Sequence, residues 1–279
     1  MAFMGVAGEY GATAKWGYGM LVAGMLNLVG EYHSDSDARR DEERAFCLAK
    51  VKDPNYWVEH LFPDVYDGEL KNLPDVSGAD LMEYRAAHGV ALAIKKFERL
   101  GEEAITVSTL SVNSADGPLA AFHDKVREVV EFASTVSKRA RLDADNEVNV
   151  AARAVYRALI DACRAYTAAG NAPTKDRLTA VRNLANGRIG VRDRLPALAK
   201  AVGADVADDR DAAELATCMR RRRSGFMGVA AEHSGLIGVW KVGNGHVEDL
   251  RNGTPKVALS RVHLVTAEDF ETEFDAWRT

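Results

Sequence analysis

Apolar residues follow their most regular pattern in the stretch after Pro118. They recur at spacings of three and four over nearly three heptads, and a second run repeats the pattern: Leu119, Phe122, Val126, Val129, Ala133, Val136 and Ala140, then Val148, Ala152, Val155, Leu159, Ala162, Tyr166 and Ala169. Such spacing places side chains on one face of a helix. The segment Leu142 to Asn146 between the runs offers turn and N-cap side chains. The pattern predicts an antiparallel helical hairpin.

Weaker periodicity predicts helices on both sides of this hairpin. Before it, we expect helices at Ala38–Lys50 and Ala79–Glu103, followed by a strand-like alternation from Ala104 to Val112. After it, Thr174 can cap a helix that Gly187 ends, and Asp208–Arg223 indicates a longer helix.

Strand-like segments lie towards the two ends of the chain. Glycines interrupt the first thirty residues seven times, which predicts short strands joined by loops. After Gly225 the pattern predicts strands at Phe226–Glu232, Leu236–Val242 and Val257–Val265, and then a helix at Ala267–Trp277. The predicted fold class is therefore α+β, with strands gathered at both ends around a long helical middle.

This order of elements divides the chain into three consecutive regions. We expect a glycine-rich αβ region at 1–112, a basic helical bundle at 113–204 and a C-terminal αβ region at 205–279.

Composition limits the class of protein without identifying it. A hydrophobic content of 47% can form a sizeable core, and a net charge of -5 means that affinity for a polyanion needs local clustering of basic residues. Three cysteines without a CxxC pair favour a reducing compartment, so we predict a cytoplasmic protein. The apolar run Trp16–Gly30 spans roughly 15 residues, whereas a membrane helix needs about 20. We therefore predict no membrane partner.

Basic residues cluster in the helical middle. The stretch Lys138–Lys200 holds 13 basic and 6 acidic residues. On its second helix, Arg153, Arg157 and Arg164 fall at i, i+4 and i+11, within about 40° of one another. Guanidinium groups in a row suit the phosphates of a nucleic-acid backbone, whereas a solvated helix face is the structural alternative.

A second basic cluster precedes Ser224-Gly225-Phe226-Met227-Gly228. Glycines there would let the backbone approach a ligand closely. Contact with nucleic acid or phosphate, stabilisation of a helix end and binding of an acidic protein all remain open. The candidate residues are Arg220, Arg221, Arg222, Arg223 and Phe226.

A third candidate lies near the start of the chain. The segment Gly11–Gly19 combines flexible backbone with Lys15, Trp16 and Tyr18. Aromatic faces can stack on unpaired bases while the lysine meets phosphate, although both aromatics could instead belong to the core. Its glycine spacing does not fit a dinucleotide-binding loop, and we predict no cofactor.

These two glycine-containing segments carry a family resemblance. Gly11–Gly19 resembles the glycine-rich loop of the RAMP family, the RNA-binding subunits of type III CRISPR effector complexes. Met219-Arg220-Arg221-Arg222-Arg223-Ser224-Gly225-Phe226 is similar to the arginine-rich variant of that loop in two-domain members. The resemblance implies ferredoxin-like domains, contact with guide or target RNA, other protein subunits and a role in antiviral defence.

The main functional hypothesis is a non-catalytic, RNA-binding subunit of a ribonucleoprotein complex that contacts single-stranded RNA. Two alternatives stay open. A helical scaffold protein could use the heptad runs and the acidic stretch Glu31–Asp80 to bind protein partners. A small-molecule enzyme could be built around the glycine loops. No HExxH, GxSxG or phosphate-binding GKS/T motif supports an enzyme, no histidine spacing predicts a metal site, and His33 with Asp35 remains an acid–base option.

Overall fold

The computed structural model describes residues 21–32, 37–52, 55–58, 78–139, 142 and 145–279. The chain forms two compact units. The first, which we call the sheet unit, combines Met1–Gly78 with Arg221–Thr279, and the second, the helical unit, is Ala79–Arg220. This division differs from the three consecutive regions expected from the sequence, because segments from the two ends of the chain share one unit.

Four strands form one sheet in the sheet unit. They are β1 (Leu26–Glu31), β2 (Tyr56–Val58), β3 (Gly238–Gly243) and β4 (Val262–Val265), in the order β2-β3-β1-β4, and every neighbouring pair is parallel. The prediction of an α+β chain with strands towards both ends is confirmed at this level. The ferredoxin-like expectation is not met, because that arrangement has an antiparallel sheet.

The described residues also form a series of helices. In chain order they are α1 (Asp37–Val51), α2 (Gly78–Ser108), α3 (Asp116–Arg139), α4 (Glu147–Thr167), α5 (Thr174–Arg192), α6 (Leu195–Ala201), α7 (Ala212–Ser234), α8 (Asn244–Arg251) and α9 (Ala267–Arg278). None of them combines the length and the apolar character that a membrane span requires.

Helices α1 and α9 cover one face of the sheet. Phe46 of α1 packs edge-on against Phe270 of α9 at a centroid distance of 5.5 Å, and both belong to a core cluster that includes Val29 and Val239 of the sheet. The connections β1–α1–β2 and β3–α8–β4 run in opposite directions along the sheet. Because parallel connections are right-handed, α8 lies on the face opposite α1.

The helical unit is built around one extended core. Both predicted heptad runs form helices, α3 and α4, and their repeating apolar residues are largely buried. The side chain of Asn146 accepts a hydrogen bond from Asn149 N at 2.8 Å, so the predicted cap of α4 is confirmed. The two helices are therefore confirmed, while their antiparallel pairing stays a prediction.

Some local predictions for the helical unit were wrong. The strand expected at Ala104–Val112 is largely the end of α2, where Ala104 and Val107 are buried in the helical core. Thr174 is the first residue of α5 and not its cap, which is Pro173. Gly187 does not end this helix, because α5 continues to Arg192. The short helix α8 was not predicted at all.

The strand expected at Phe226–Glu232 is helical, because α7 continues without a break to Ser234. Its glycines allow close packing instead of a loop. A Cβ atom on Gly225 would lie 2.7 Å from Pro255 Cγ, and one on Gly228 would lie 2.8 Å from Leu250 Cδ2. Small residues are required there because neighbouring segments approach the helix backbone.

Candidate functional site

The order of the strands identifies one position in the sheet unit as a candidate site. Strands β1 and β3 are neighbours in the centre of the sheet. From β1 the chain continues to β2 at one edge, and from β3 it continues to β4 at the opposite edge. In open parallel sheets, ligands bind outside the carboxyl ends of the strands at such a topological switch point. The residues that follow β1 and β3 are therefore the candidates for a functional site.

Both strands end in a Gly-x-x-His segment. The first is Gly30-Glu31-Tyr32-His33 and the second is Gly243-Asn244-Gly245-His246, and the parallel register pairs Glu31 with Gly243. His33 lies outside the described residues, as do Glu59 and His60, which follow β2 directly in the sequence. The described part of the site therefore consists of Glu31 and the residues around the second segment.

Glu31 is a buried carboxylate at the end of a central strand, with 3% of the residue exposed. Arg40 Nη2 of α1 lies 4.0 Å from its Oε1. The pKa of the Tyr56 hydroxyl on β2 is raised, mainly because the group is buried. The charges of Cys47, Glu43 and Glu31 raise it further. Within the described structure, the Tyr56 hydroxyl is buried without a hydrogen-bond partner. The end of β1 thus carries a buried carboxylate that faces the guanidinium group of Arg40.

Asn244 joins the ends of three strands. Its Oδ1 accepts a hydrogen bond of 2.8 Å from the N–H of Ala267, and its Nδ2 donates to Glu248 Oε1 at 2.8 Å. Gly30 leaves the space for this bridge, because a Cβ there would lie 2.3 Å from Asn244 Oδ1 and 2.8 Å from Ala267 N. A glycine is therefore required at position 30, at the end of β1, because Asn244 of the second Gly-x-x-His segment lies against it.

His246 is held in a buried polar cluster between α7 and α8. Its Nδ1 lies 2.8 Å from Ser224 Oγ, and Ser224 Oγ donates to Asp249 Oδ2 at 2.9 Å. These are the residue types of a catalytic triad, but the serine occupies the middle position that the histidine takes in a triad. Because Ser224 is fully buried and its proton is directed to the aspartate, this serine is not placed to act as a nucleophile.

A buried ion pair lies on the α1 face of the sheet. Lys241 Nζ of β3 is 2.9 Å from Glu43 Oε2 of α1, and the two side chains are 2% and 0% exposed. Arg39 also pairs with Glu43, at 3.1 Å. Burial is the main cause that raises the pKa of neighbouring Cys47 to about 12, so its thiol stays protonated. This network attaches α1 to the centre of the sheet.

The chemistry available at the site is that of acids, bases and amides. In the part of the chain that the structure describes, no group of three or more histidine, cysteine, aspartate or glutamate side chains is arranged to hold a metal ion. Glutamate and histidine are the commonest general acids and bases in enzymes.

Among the described residues, the side chains predicted from the sequence to bind RNA lie on α4 and α7. Lys15, Trp16 and Tyr18 lie outside the described residues. On α4, Arg153 donates to Leu142 O at 2.6 Å and pairs with Asp145 at 2.9 Å, so it serves the start of its own helix.

Arg157 and Arg164 of α4 are exposed, and Arg164 approaches Asp161 at 3.9 Å. Much of the basic excess of the helical unit forms ion pairs between helices, such as Arg177 with Asp116 at 2.8 Å and Arg192 with Glu98 at 2.5 Å.

The four consecutive arginines lie within α7 and not at a helix end. Successive residues of a helix point about 100° apart, so the four side chains do not share a face. Arg221 is exposed, Arg220, Arg222 and Phe226 are half-buried, and Arg223 is only 4% exposed. The expectation of a concentrated basic loop is therefore corrected, because the segment is regular helix.

The sequence does contain a signal for the residues at the switch point. The spacing Gly-x-x-His occurs at both ends of the chain, but its meaning depends on the two segments following adjacent parallel strands. Pairing between strands so distant in the chain is not visible in local patterns. A longer repeat, Phe3-Met4-Gly5-Val6-Ala7-Gly8-Glu9 and Phe226-Met227-Gly228-Val229-Ala230-Ala231-Glu232, has its first copy outside the described residues and its second copy within α7.

Comparison with protein-family models, curated proteins and solved structures found no match for this chain. The chemistry of the site itself is therefore the basis for assigning a function.

Proposed function

We propose that the sheet unit is an acid–base enzyme of the hydrolase class, with its active site at the carboxyl ends of β1 and β3. The observation that carries the proposal is the pair of Gly-x-x-His segments that follow two adjacent parallel strands at the topological switch point. Buried ionisable groups in such a position are candidates for catalysis. Glu31 and His246 are the described residues that supply them.

The roles follow from the chemistry of the two side chains. The carboxylate of Glu31, next to the positive charge of Arg40, orients or deprotonates the attacking water. His246 in its imidazolium form donates the Nε2 proton that the leaving group needs and is left neutral, with its remaining hydrogen on Nδ1. Asn244 and Gly30 keep the two strand ends in place through the bridge to Ala267.

The test is hydrolysis of 4-nitrophenyl acetate, 4-nitrophenyl phosphate and bis(4-nitrophenyl) phosphate, each with a chelator and with added Mn²⁺. We expect Glu31→Gln to lower the turnover of whichever ester is cleaved by about 10²- to 10⁴-fold. Glu268→Gln is the matched control, because it removes an exposed carboxylate from the first turn of α9. His33 holds in the first segment the position that His246 holds in the second, so His33→Ala belongs in the same series and should also lower turnover. Equal activity of Glu31→Gln and Glu268→Gln would reject the proposed site.

A second proposal, RNA binding by the helical unit, is favoured by one observation. Arg157 and Arg164 are exposed and seven residues apart on α4, so they share a face at a separation of about two turns. Phosphate contacts by these two side chains would position single-stranded RNA of a ribonucleoprotein complex along the helix.

This second proposal is tested by titrating single-stranded RNA at several salt concentrations. Replacing Arg157 and Arg164 with alanine should weaken binding to unrelated sequences and lower the salt slope by about 1.4, because each phosphate contact on a single strand contributes about 0.7. Arg127→Ala is the control, because Arg127 is exposed on α3 but lies beside Asp124 and Glu131. A salt-independent or undetectable interaction of the unmodified protein rules RNA binding out.

A further inference from the structure

The buried cluster of Ser224, His246 and Asp249 determines which nitrogen of His246 carries a proton. Ser224 is fully buried, and His246 and Asp249 are 5% and 6% exposed. His246 and Asp249 stand three residues apart on α8, so both side chains reach the same serine on α7. The three polar groups are therefore hydrogen-bonded in series inside the sheet unit.

The direction of each hydrogen bond follows from the donors available. A carboxylate can only accept, so the hydroxyl proton of Ser224 goes to Asp249 Oδ2, over 2.9 Å. The serine has no second proton, and its oxygen must accept from His246 Nδ1 across the contact of 2.8 Å. Nδ1 of a neutral His246 consequently carries the hydrogen, and Nε2 holds the basic lone pair.

We propose that Ser224 and Asp249 are positioning residues that fix His246 as the Nδ1–H tautomer, so that the basic lone pair of the ring is on Nε2. The catalytic role of Nε2 rests on the proposed function, whereas the tautomer itself does not. The aspartate acts through the serine, which reverses the usual order in which an acid contacts the histidine directly.

A purely structural link between α7 and α8 would use the same contacts, so the test must read out the ring nitrogens. Long-range ¹H–¹⁵N spectra of the full chain with ¹⁵N-labelled histidine distinguish the two tautomers at alkaline pH, where imidazoles are neutral. The chain has seven histidines, and the signal of His246 is assigned by its loss in His246→Gln. We expect an Nδ1–H ring in the unmodified protein.

Two variants change the cluster in different ways. Ser224→Ala removes the acceptor, and the His246 ring should shift to a mixture of tautomers or to Nε2–H. In Asp249→Asn the new amide donates to Ser224 Oγ. The serine hydroxyl then donates to His246 Nδ1, and the ring should change to the Nε2–H tautomer. Ser234→Ala is the matched control, because this serine ends the same helix and bonds to Ala231 O. It should leave the His246 spectrum unchanged.

The outcomes separate the inference from the proposed function. An Nε2–H ring in the unmodified protein overturns the inference, and so does an unchanged Nδ1–H ring in both cluster variants. If Ser224→Ala does not fold, the unmodified protein and Asp249→Asn still decide the tautomer. Where an ester is hydrolysed, Ser224→Ala should lower kcat by about 10- to 100-fold with little change in KM. Equal kcat would remove the catalytic role of the cluster, and absence of any hydrolysis would leave the tautomer result standing.

Discussion

Removing one partner of the buried pair Lys241–Glu43 should destabilise the sheet unit strongly, whereas removing both should not. In Glu43→Leu, the ammonium group of Lys241 loses its carboxylate partner and keeps the ring face of Phe270, 3.8 Å away, in a site where the lysine side chain is 2% exposed. Leaving a buried charge without its partner costs about 3–5 kcal/mol. We expect a loss in that range for Glu43→Leu.

Lys241→Met should cost less, about 3 kcal/mol, because Glu43 retains Arg39 at 3.1 Å. The double variant replaces the pair with two apolar side chains and should return to within about 1 kcal/mol of the unmodified protein. The two substitutions are therefore expected to be non-additive by several kcal/mol, as for residues in direct contact.

Urea denaturation followed by tryptophan fluorescence measures this unit selectively, because Trp16, Trp57, Trp240 and Trp277 all belong to its two segments. Lys50→Met is the matched control, since Lys50 pairs with Glu273 at 3.1 Å but is 39% exposed. It should cost no more than about 1 kcal/mol. The buried pair does not behave as described if Lys241→Met costs no more than the control, or if the double variant loses the sum of the two single losses.

Three further predictions concern other parts of the fold. Asn146→Ala should destabilise the helical unit by about 1 kcal/mol, measured by circular dichroism, because it removes the cap of α4. Burial alone would raise the pKa of Glu232. Hydrogen bonds from the Ser260 hydroxyl and from the backbone N–H groups of Ser260 and Arg261 lower it below the ordinary 4.5. Its stabilising effect is therefore present above pH 4.5 and is lost as the pH falls through the lower folded value. Urea midpoints of Glu232→Gln should depend less on pH in that acid range. Ellman's reagent should leave Cys47 and Cys163 unmodified in the native protein, because burial raises the pKa of each thiol to about 12, and it should reach half-buried Cys218 first.

The helical unit could be predicted from the sequence much further than the sheet unit. Helices α3 and α4 follow from repeating apolar residues, and Asn146 follows from the chemistry of caps, because both signals are local. The end of α7 could not be predicted in the same way. Gly225 and Gly228 look like loop residues until Pro255 and Leu250 are seen to pack against them.

The candidate site shows the same limit more sharply. Glu31 and His246 are distant in the sequence, and neither stands out in its own segment. Their relation depends on the parallel register of β1 and β3, which local periodicity does not encode. The basic residues were conspicuous in the sequence, but ion pairs such as Arg177 with Asp116 use many of them within the helical unit.

The position of β1 between two late strands affects the order in which the protein can form during synthesis. The side chain of Asn27 bonds to Gly238 O, 211 residues further along the chain, and β4 follows later still. A nascent chain therefore carries its apolar first strand without these neighbours until the C-terminal strands emerge from the ribosome. The helical unit is one continuous segment and can fold before that moment, as domains generally do during translation.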